Sequence, residues 1–310
     1  MELTHDDLAN RVLAVAGNEV FTVQDTDAIW DVQESVENKL LLCDCVQGMR
    51  QLPNDLIDLT VTSPPYDKVR SAYPLLPIAK FKEVADELLR ITKPGGVVVW
   101  VVQEQISKDG SQTGTSSEQR LYFKDIGFTL HDRLVMARFS RRSPTPRRYG
   151  LPLEEAFVLS KGKPTTVNLF RDRQNKTSGR TTRYRKRHSD GDFDRRTRSC
   201  VIGCYGYRSN VWCYATGIHT AKEEWVRKEH SALMVEKMAE DLILSYSKPD
   251  QLVFDPFCGL ATTCKMALLN HRRYLGMEID QRFYSLAERR MALAHREYAA
   301  KLAAMQSSSA

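Results

Sequence analysis

Two stretches of this 310-residue chain gather residue types that could do chemistry. The first is Thr62-Ser63-Pro64-Pro65-Tyr66-Asp67, directly after an apolar run. Consecutive prolines fix the backbone and remove two amide donors, so the Pro64 carbonyl has no secondary-structure role and can face a cleft. Ser63 adds a hydroxyl and Tyr66 an aromatic face. Such a set suits an amino-bearing base swung out of its stack: two acceptors take the amino hydrogens while the ring lies on the tyrosine. Aiming the amino nitrogen's lone pair at a methyl donor in this way is catalysis by positioning rather than by a strong base. A Pro-Pro pair alone would read as a turn after a strand, whereas strand-Ser-Pro-Pro-Tyr is much more specific.

The second stretch runs Val253-Phe254-Asp255-Pro256-Phe257-Cys258-Gly259-Leu260-Ala261-Thr262-Thr263. It reads as a strand, an acidic residue, a tight loop of small residues and a helix start. Gly259 permits close backbone approach, and a helix opening at Thr262 and Thr263 offers donors to a carboxylate. Glu278 ends the next apolar run, about twenty residues on, where dinucleotide folds keep the acid that accepts from ribose hydroxyls. Taken alone, this stretch also fits an ordinary strand-loop-helix turn with a capping threonine.

Both stretches need strands that end at one edge of a sheet, and the remaining sequence supplies them. Leu40–Leu42, Leu56–Thr62, Val97–Val102, Leu134–Phe139, Glu155–Leu159, Leu252–Phe254 and Tyr274–Ile279 read as strands. Helical spacing of apolar residues marks Phe81–Ile91, a stretch near Glu118–Ile126, His230–Tyr246 and Thr262–Asn270. The Ala-, Arg- and Glu-rich Phe283–Met305 is also helical in pattern, and Met305–Ala310 should fray. Lys93-Pro94-Gly95-Gly96 stops the first helix. Uniformly apolar strands alternating with helices predict an α/β fold with a largely parallel sheet.

Composition bounds the surroundings. At 42% hydrophobic and 27% charged residues the chain has ordinary globular character. It has no apolar run long enough to span a membrane. The acidic start, Met1-Glu2-Leu3-Thr4-His5-Asp6-Asp7, lacks the pattern of a secretory signal, so a reducing, cytoplasmic setting is expected. Seven irregularly spaced cysteines fit that setting. Cys200, Cys204, Cys213 and His219 could be imagined around zinc, but the paired spacing of zinc sites is missing, and no metal is expected. Net charge is +6, yet residues 138–200 carry 18 Lys and Arg against 6 Asp and Glu, while the rest carries 27 against 33. That segment is the footprint of a phosphate-contacting surface, or else a solvated basic loop. The polar segment before Glu37, with Leu8, Val12, Leu13 and Val15, reads as a helix or arm without an assigned role.

The order of these features resembles the β-class DNA amino-methyltransferases, from about Lys39 to Asp280. In that family the catalytic motif precedes the target-recognition region and the cofactor loop comes last. The resemblance implies a Rossmann-like, doubly wound, circularly permuted fold of the class I methyltransferase type. Residues 39–160 would form its catalytic half, 161–212 a basic target-recognition insertion and 213–310 its cofactor half, after an arm at 1–38. It implies S-adenosylmethionine as methyl donor, double-stranded DNA as substrate, a role in restriction-modification, a bacterial or phage origin and a homodimer. Ser63, Pro64, Pro65 and Tyr66 match the catalytic loop. Cofactor contacts are implied for Asp44, Thr62, Asp255, Pro256, Phe257, Gly259, Thr262, Thr263 and Glu278, and for His230 and Met234 on the helix that completes the pocket. Arg141, Arg142, Arg147, Arg148, Arg183, Arg185, Lys186, Arg187, Arg195, Arg196 and Arg198 are the candidate DNA contacts, with Tyr184, Tyr205 and Tyr207 as stacking surfaces. Arg208–Trp212 resembles a structural segment that precedes the pocket helix.

Three departures accompany the match. Ala261 replaces the second glycine of the usual Gly-x-Gly-Thr, Met234-Val235 replaces a Phe-Pro pair, and Ser63 stands where adenine enzymes carry Asp or Asn. Serine at that place is associated with N4-cytosine methylation, although a hydroxyl does not by itself read cytosine over adenine. Methylation of RNA or of a protein amide, and a non-catalytic DNA-binding protein of the same fold, are the competing readings. The first lacks an RNA module, and intact Ser63, Tyr66, Asp255 and Glu278 weigh against the second.

Overall fold

Val97, Val99 and Val101 pack into one apolar cluster, and Val98, Trp100 and Val102 into another. Side chains alternate across a strand, so a uniformly apolar run is a strand covered on both faces. A computed structural model describes residues 36–65, 76–104, 106–107, 109–139, 153–216, 219–229 and 233–308. Its elements in chain order are β1 (Lys39–Leu42), α1 (Cys45–Gln51), β2 (Ile57–Thr62), α2 (Ile78–Ile91), β3 (Thr92–Val102), α3 (Thr115–Asp125), β4 (Thr129–Phe139) and β5 (Leu153–Ser160). Then come β6 (Arg173–Gln174), β7 (Thr181–Tyr184), β8 (Arg198–Val201), β9 (Tyr205–Gly206), β10 (Val211–Ala215) and α4 (Glu224–Glu229). The chain closes with α5 (Glu236–Tyr246), β11 (Leu252–Asp255), α6 (Thr262–Leu269), β12 (Arg273–Glu278) and α7 (Gln281–Ser308).

Among the described residues the main sheet has eight strands in the order β1-β12-β11-β2-β3-β5-β4-β10. Neighbours run parallel from β1 to β3, and β10 is parallel to β4, while β5 is antiparallel to both β3 and β4. Helices α1 to α3 cover one face through Met49, Phe81, Val84, Leu88 and Phe123. Helices α5 to α7 cover the other through Met238, Leu242, Ala267 and Met291. The sheet is thus doubly wound. β2 leads outward to β3 on one side and β11 to β12 on the other, so the switch point lies between these two parallel neighbours. Open α/β sheets bind ligands in the crevice beyond the carboxyl ends of such strands.

Several boundaries differ from the periodicity reading. The pocket helix does not begin at His230: α5 starts at Glu236, behind an extended Val235. Leu233 packs with Ala221, Val226, Leu260 and Phe283, while Met234 and Val235 enter the larger core. Adjacent residues sent to different clusters suit extended backbone, and the Glu236 amide is taken by the Thr220 carbonyl at 2.9 Å. Lys93–Gly96 forms a bulge inside β3, because Ile57 pairs with Thr92 and Leu59 with Val97. Helix α7 continues to Ser308 instead of fraying from Met305. Strand β10 and helices α1 and α4 went unread in the sequence. The N-terminal arm before Val36 lies outside the described residues.

The basic segment folds into a ribbon: β6 pairs with β9, and β7 with β8, both antiparallel. No residue from 167 to 211 is buried. The ribbon's base is nevertheless fastened to the body. Asn168 donates through its amide to the Ser245 carbonyl at 2.7 Å. Arg208 pairs with Asp172 and, at 2.7 Å, with the sealed Asp241, and lies over the rings of Phe170 and Trp212.

Candidate active site

Four neighbouring parallel strands, β1, β12, β11 and β2, end along one edge of the sheet, and each end carries a candidate group. Asp44 follows β1. Its Oδ1 accepts from the amides of Val46 and Gln47 at 3.0 and 3.1 Å, capping α1, and from Lys80 Nζ at 3.1 Å. Glu278 closes β12, with Oε2 accepting from the Gly259 amide at 2.9 Å and Oε1 from the Asp280 amide at 2.9 Å. Asp255 closes β11, and Thr62 closes β2. The Thr62 hydroxyl donates to Asp255 Oδ1 at 2.6 Å, linking positions 193 residues apart in the chain. The two stretches singled out in the sequence therefore meet at the switch point.

The acids differ in their surroundings. Asp255 is sealed, and loss of water pushes its carboxyl up to about 6, although Thr62, Thr263 and the Phe257 amide act in the opposite sense. Glu278 is also raised, chiefly by burial, with the amides of Asp280 and Gly259 opposing. Cys43 and Cys45 beside Asp44 are pushed up to about 12 by burial and by that carboxylate, so they stay protonated thiols. Cys200, Cys204 and Cys213 are exposed, and among the described residues no cluster of His, Cys, Asp and Glu converges as metal ligands.

The loop between β11 and α6 is held from several sides. Phe257 packs edge-on to Trp100, with ring centres 6.2 Å apart, and Pro256 is buried. Gly259 takes φ +52°, which costs glycine little. Ala261 takes φ +57° and ψ +38°, a left-handed conformation that disfavours any Cβ-bearing residue. The hydroxyls of Thr262 and Thr263 turn into the scaffold: Thr262 accepts from Arg290 at 2.9 Å, and Thr263 donates to the Val61 carbonyl at 3.1 Å.

Ser63, Pro64 and Pro65 continue directly from β2, with Pro64 buried and its neighbours half-buried. Met234 is buried just ahead of α5, not within it. Tyr66, His230, Arg141, Arg142, Arg147 and Arg148 lie outside the described residues. Arg183, Arg185, Lys186, Arg187, Arg195, Arg196 and Arg198 are exposed on the ribbon, far along the chain from the strand ends. Residues 173–206 hold ten Lys and Arg against three Asp, so the ribbon concentrates positive charge. At its tip Phe193, half exposed, is flanked by the guanidinium groups of Arg185 and Arg187 at 6.0 and 5.8 Å.

Sequence reading missed the buried ions beneath the loop: Lys265, Arg290, Glu223 and Glu236. Lys265 carried a signal, being a lone cation in the apolar helix Thr262–Leu269. Arg290 carried one too, falling three residues after Ala287 and four before Ala294 on the apolar face of its helix.

A family model described as DNA methylase, covering the N6 and N4 enzymes, matches residues 57–289. The orphan methyltransferase M.BamHII of Bacillus amyloliquefaciens is 43% identical over 239 residues, which is 76% of this chain and 88% of that protein. The chain belongs to the N6/N4 DNA methylase family. Two solved structures share the methylase's fold at low identity. PvuII DNA methyltransferase, cytosine-N4-specific, aligns with a TM-score of 0.61 at 15% identity, over 84% of this methylase and 92% of that chain. The M1.HpyAVI–SAM complex aligns with a TM-score of 0.55 at 16% identity, over 82% and 98%. The α/β class read from the sequence is the one observed, and the amino-methyltransferase resemblance holds. No helix of the described methylase is long and apolar enough to cross a membrane.

Proposed function

We propose that this methylase moves a methyl group from S-adenosylmethionine to the exocyclic amino group of a base swung out of double-stranded DNA, with N4 of cytosine the favoured acceptor. The observation that carries the reading is the Thr62–Asp255 hydrogen bond. It fixes the catalytic strand end against the candidate cofactor loop, at the crevice where such sheets hold ligands.

The donor set at that edge fits S-adenosylmethionine. A fully buried carboxylate (Asp255), a half-buried one (Glu278) and a capping one (Asp44) stand on adjacent strand ends, and a tight loop leads into the N-terminus of α6. Asp44 would hold the adenine, Glu278 the ribose hydroxyls, and the Asp255–Gly259 loop with the backbone amides of Thr262 and Thr263 the amino-acid end. Met234 and His230 would complete the wall. The solved M1.HpyAVI–SAM complex shares the fold and supports S-adenosylmethionine as the cofactor. When bound, the cofactor supplies an electrophilic methyl group.

The chain's own residues then orient the acceptor. Ser63 Oγ and the Pro64 carbonyl accept the two amino hydrogens, Pro65 keeps that carbonyl rigid, and Tyr66 stacks on the ring. As the nitrogen–methyl bond forms and the donor's sulfur–methyl bond breaks to leave a neutral thioether, the proton shed by the nitrogen would pass to Ser63 Oγ, whose own proton would pass to water. The exposed ribbon, with its seven candidate cations, supplies backbone neutralisation and target recognition. Cytosine is favoured by Ser63 alone. N6 of adenine is the alternative, because the family covers both amino groups.

Ser63→Ala tests the reading. Methyl transfer should fall by about 100-fold or more, as when one preorganised polar contact is lost, with cofactor affinity retained. Wild-type turnover by the variant would remove Ser63 from the mechanism.

A further inference from the structure

Two cations are sealed beneath the loop between β11 and α6: the side chains of Arg290 and Lys265 expose 0% and 1% of their surface. Lys265 Nζ donates to Glu223 Oε1 and Glu236 Oε1, both at 2.6 Å. Arg290 Nη2 donates to the same Glu236 oxygen at 2.6 Å, and Arg290 Nε lies 3.5 Å from Glu223 Oε2. Two cations and two anions balance, which is the condition under which charges tolerate burial. The remaining reach of Arg290 goes to the loop. Its Nη1 donates to the Leu260 carbonyl at 2.7 Å and to Thr262 Oγ1 at 2.9 Å.

Those two acceptors flank Ala261, the residue held left-handed without a glycine's freedom. Fixing the peptide before it and the side chain after it leaves the intervening φ and ψ little latitude. A planar guanidinium can meet several acceptors at once, whereas an ammonium acts as a point charge. We infer that Arg290 is a positioning residue of the cofactor loop, a clamp that holds Ala261 in its left-handed state and so keeps the backbone from Gly259 to Thr262 in its ligand-receiving shape. The clamp also reaches sideways. Glu236 opens α5 and Glu223 precedes α4, so one guanidinium ties the loop to the elements beside it. This inference rests on the cofactor reading given above.

The test is titration of the full chain with S-adenosylmethionine, and separately with duplex DNA. The proteins are wild type, Arg290→Lys, Thr262→Val, Ala261→Gly and the two doubles that add A261G. Arg290→Lys should weaken cofactor binding by about tenfold or more, because charge-assisted hydrogen bonds are lost. Duplex affinity should move by less than about twofold, since the clamp touches no ribbon residue. A261G should recover most of the lost cofactor affinity in the R290K background, because glycine holds the left-handed turn without a clamp. A folded R290K with wild-type cofactor affinity would overturn the clamp. So would an A261G effect equal in both backgrounds. Should R290K fail to fold, T262V decides: it removes one acceptor without touching charge. A cofactor loss rescued by A261G is expected there, and its absence overturns the clamp. A wild type that binds no S-adenosylmethionine overturns the cofactor reading and the clamp with it. One that binds while the variants bind equally overturns the clamp alone.

Discussion

Asp255 shows how one residue joins the two halves of the edge. Burial raises its carboxyl from 3.8 to about 6, so the folded state holds the proton more tightly than the unfolded one. The resulting stability is complete below about pH 4 and is lost as the pH rises through about 6. Asp255→Asn cannot titrate, so its stability relative to wild type should rise across that window. Parallel denaturation curves at pH 4 and pH 7 would contradict the burial argument. Ala261 gives a second case. Replacing it with glycine relieves a left-handed Cβ but adds freedom to the unfolded chain, so a net gain of about 1 kcal/mol is expected by chemical denaturation. A loss would mean that the methyl group is needed in the core. Ser63 and Asp255 were legible in the sequence because each ends an apolar run and is followed by Pro, and Glu278 because it ends the next apolar run about twenty residues on. The clamp at Arg290 was passed over as one of a run of arginines, although helical spacing sets it three residues after Ala287 and four before Ala294 on the buried face, with Arg289 off that face.

Elements were legible to the degree that burial shaped them. β3 and β11 read directly from unbroken apolar runs, as strands covered on both faces do. β10 did not. Its Val211-Trp212-Cys213-Tyr214-Ala215 alternates exposed and buried residues at the sheet's edge, next to a polar ribbon that masks the period. The start of α5 was misread because Met234 sits at helical spacing from Met238, although its neighbour Leu233 packs into a separate cluster. The ribbon itself has no core, so it contributes little to folding. The Asn175 amide already bonds the Cys204 carbonyl at 2.9 Å, so residues 176–203 can be replaced by a two-residue Asn-Gly turn. The shortened chain should melt within a few degrees of wild type and keep its cofactor affinity. Its DNA binding should be weaker and less steep in salt, since each phosphate contact contributes to that slope. An unchanged salt slope would remove the ribbon from the DNA interface.

At the scale of the molecule, the order β1-β12-β11-β2-β3 places four strand ends side by side although the chain visits them at opposite ends of its length. A switch point between β2 and β11 brings the Ser63-Pro64-Pro65 loop and the acid-bearing loop to one sheet edge, and the hydrogen bond from Thr62 to Asp255 fixes their spacing. The sequence disclosed the two loops and their order. Their contact depends on strand pairing, which a linear reading does not contain. The ribbon reaches outward from the same sheet, braced by Arg208 between Asp172 and Asp241. The family match makes the chain a DNA methylase, with the chemistry proposed for the crevice and the duplex for the ribbon. The most direct measurement is nucleoside mass spectrometry of duplex DNA treated with the wild-type chain and labelled S-adenosylmethionine, beside a Ser63→Ala control. Labelled N4-methylcytosine, absent from the control, is the expected result. N6-methyladenine would keep the amino-group mechanism and overturn the target base. Label on a ring carbon, or none on any base, would contradict the account.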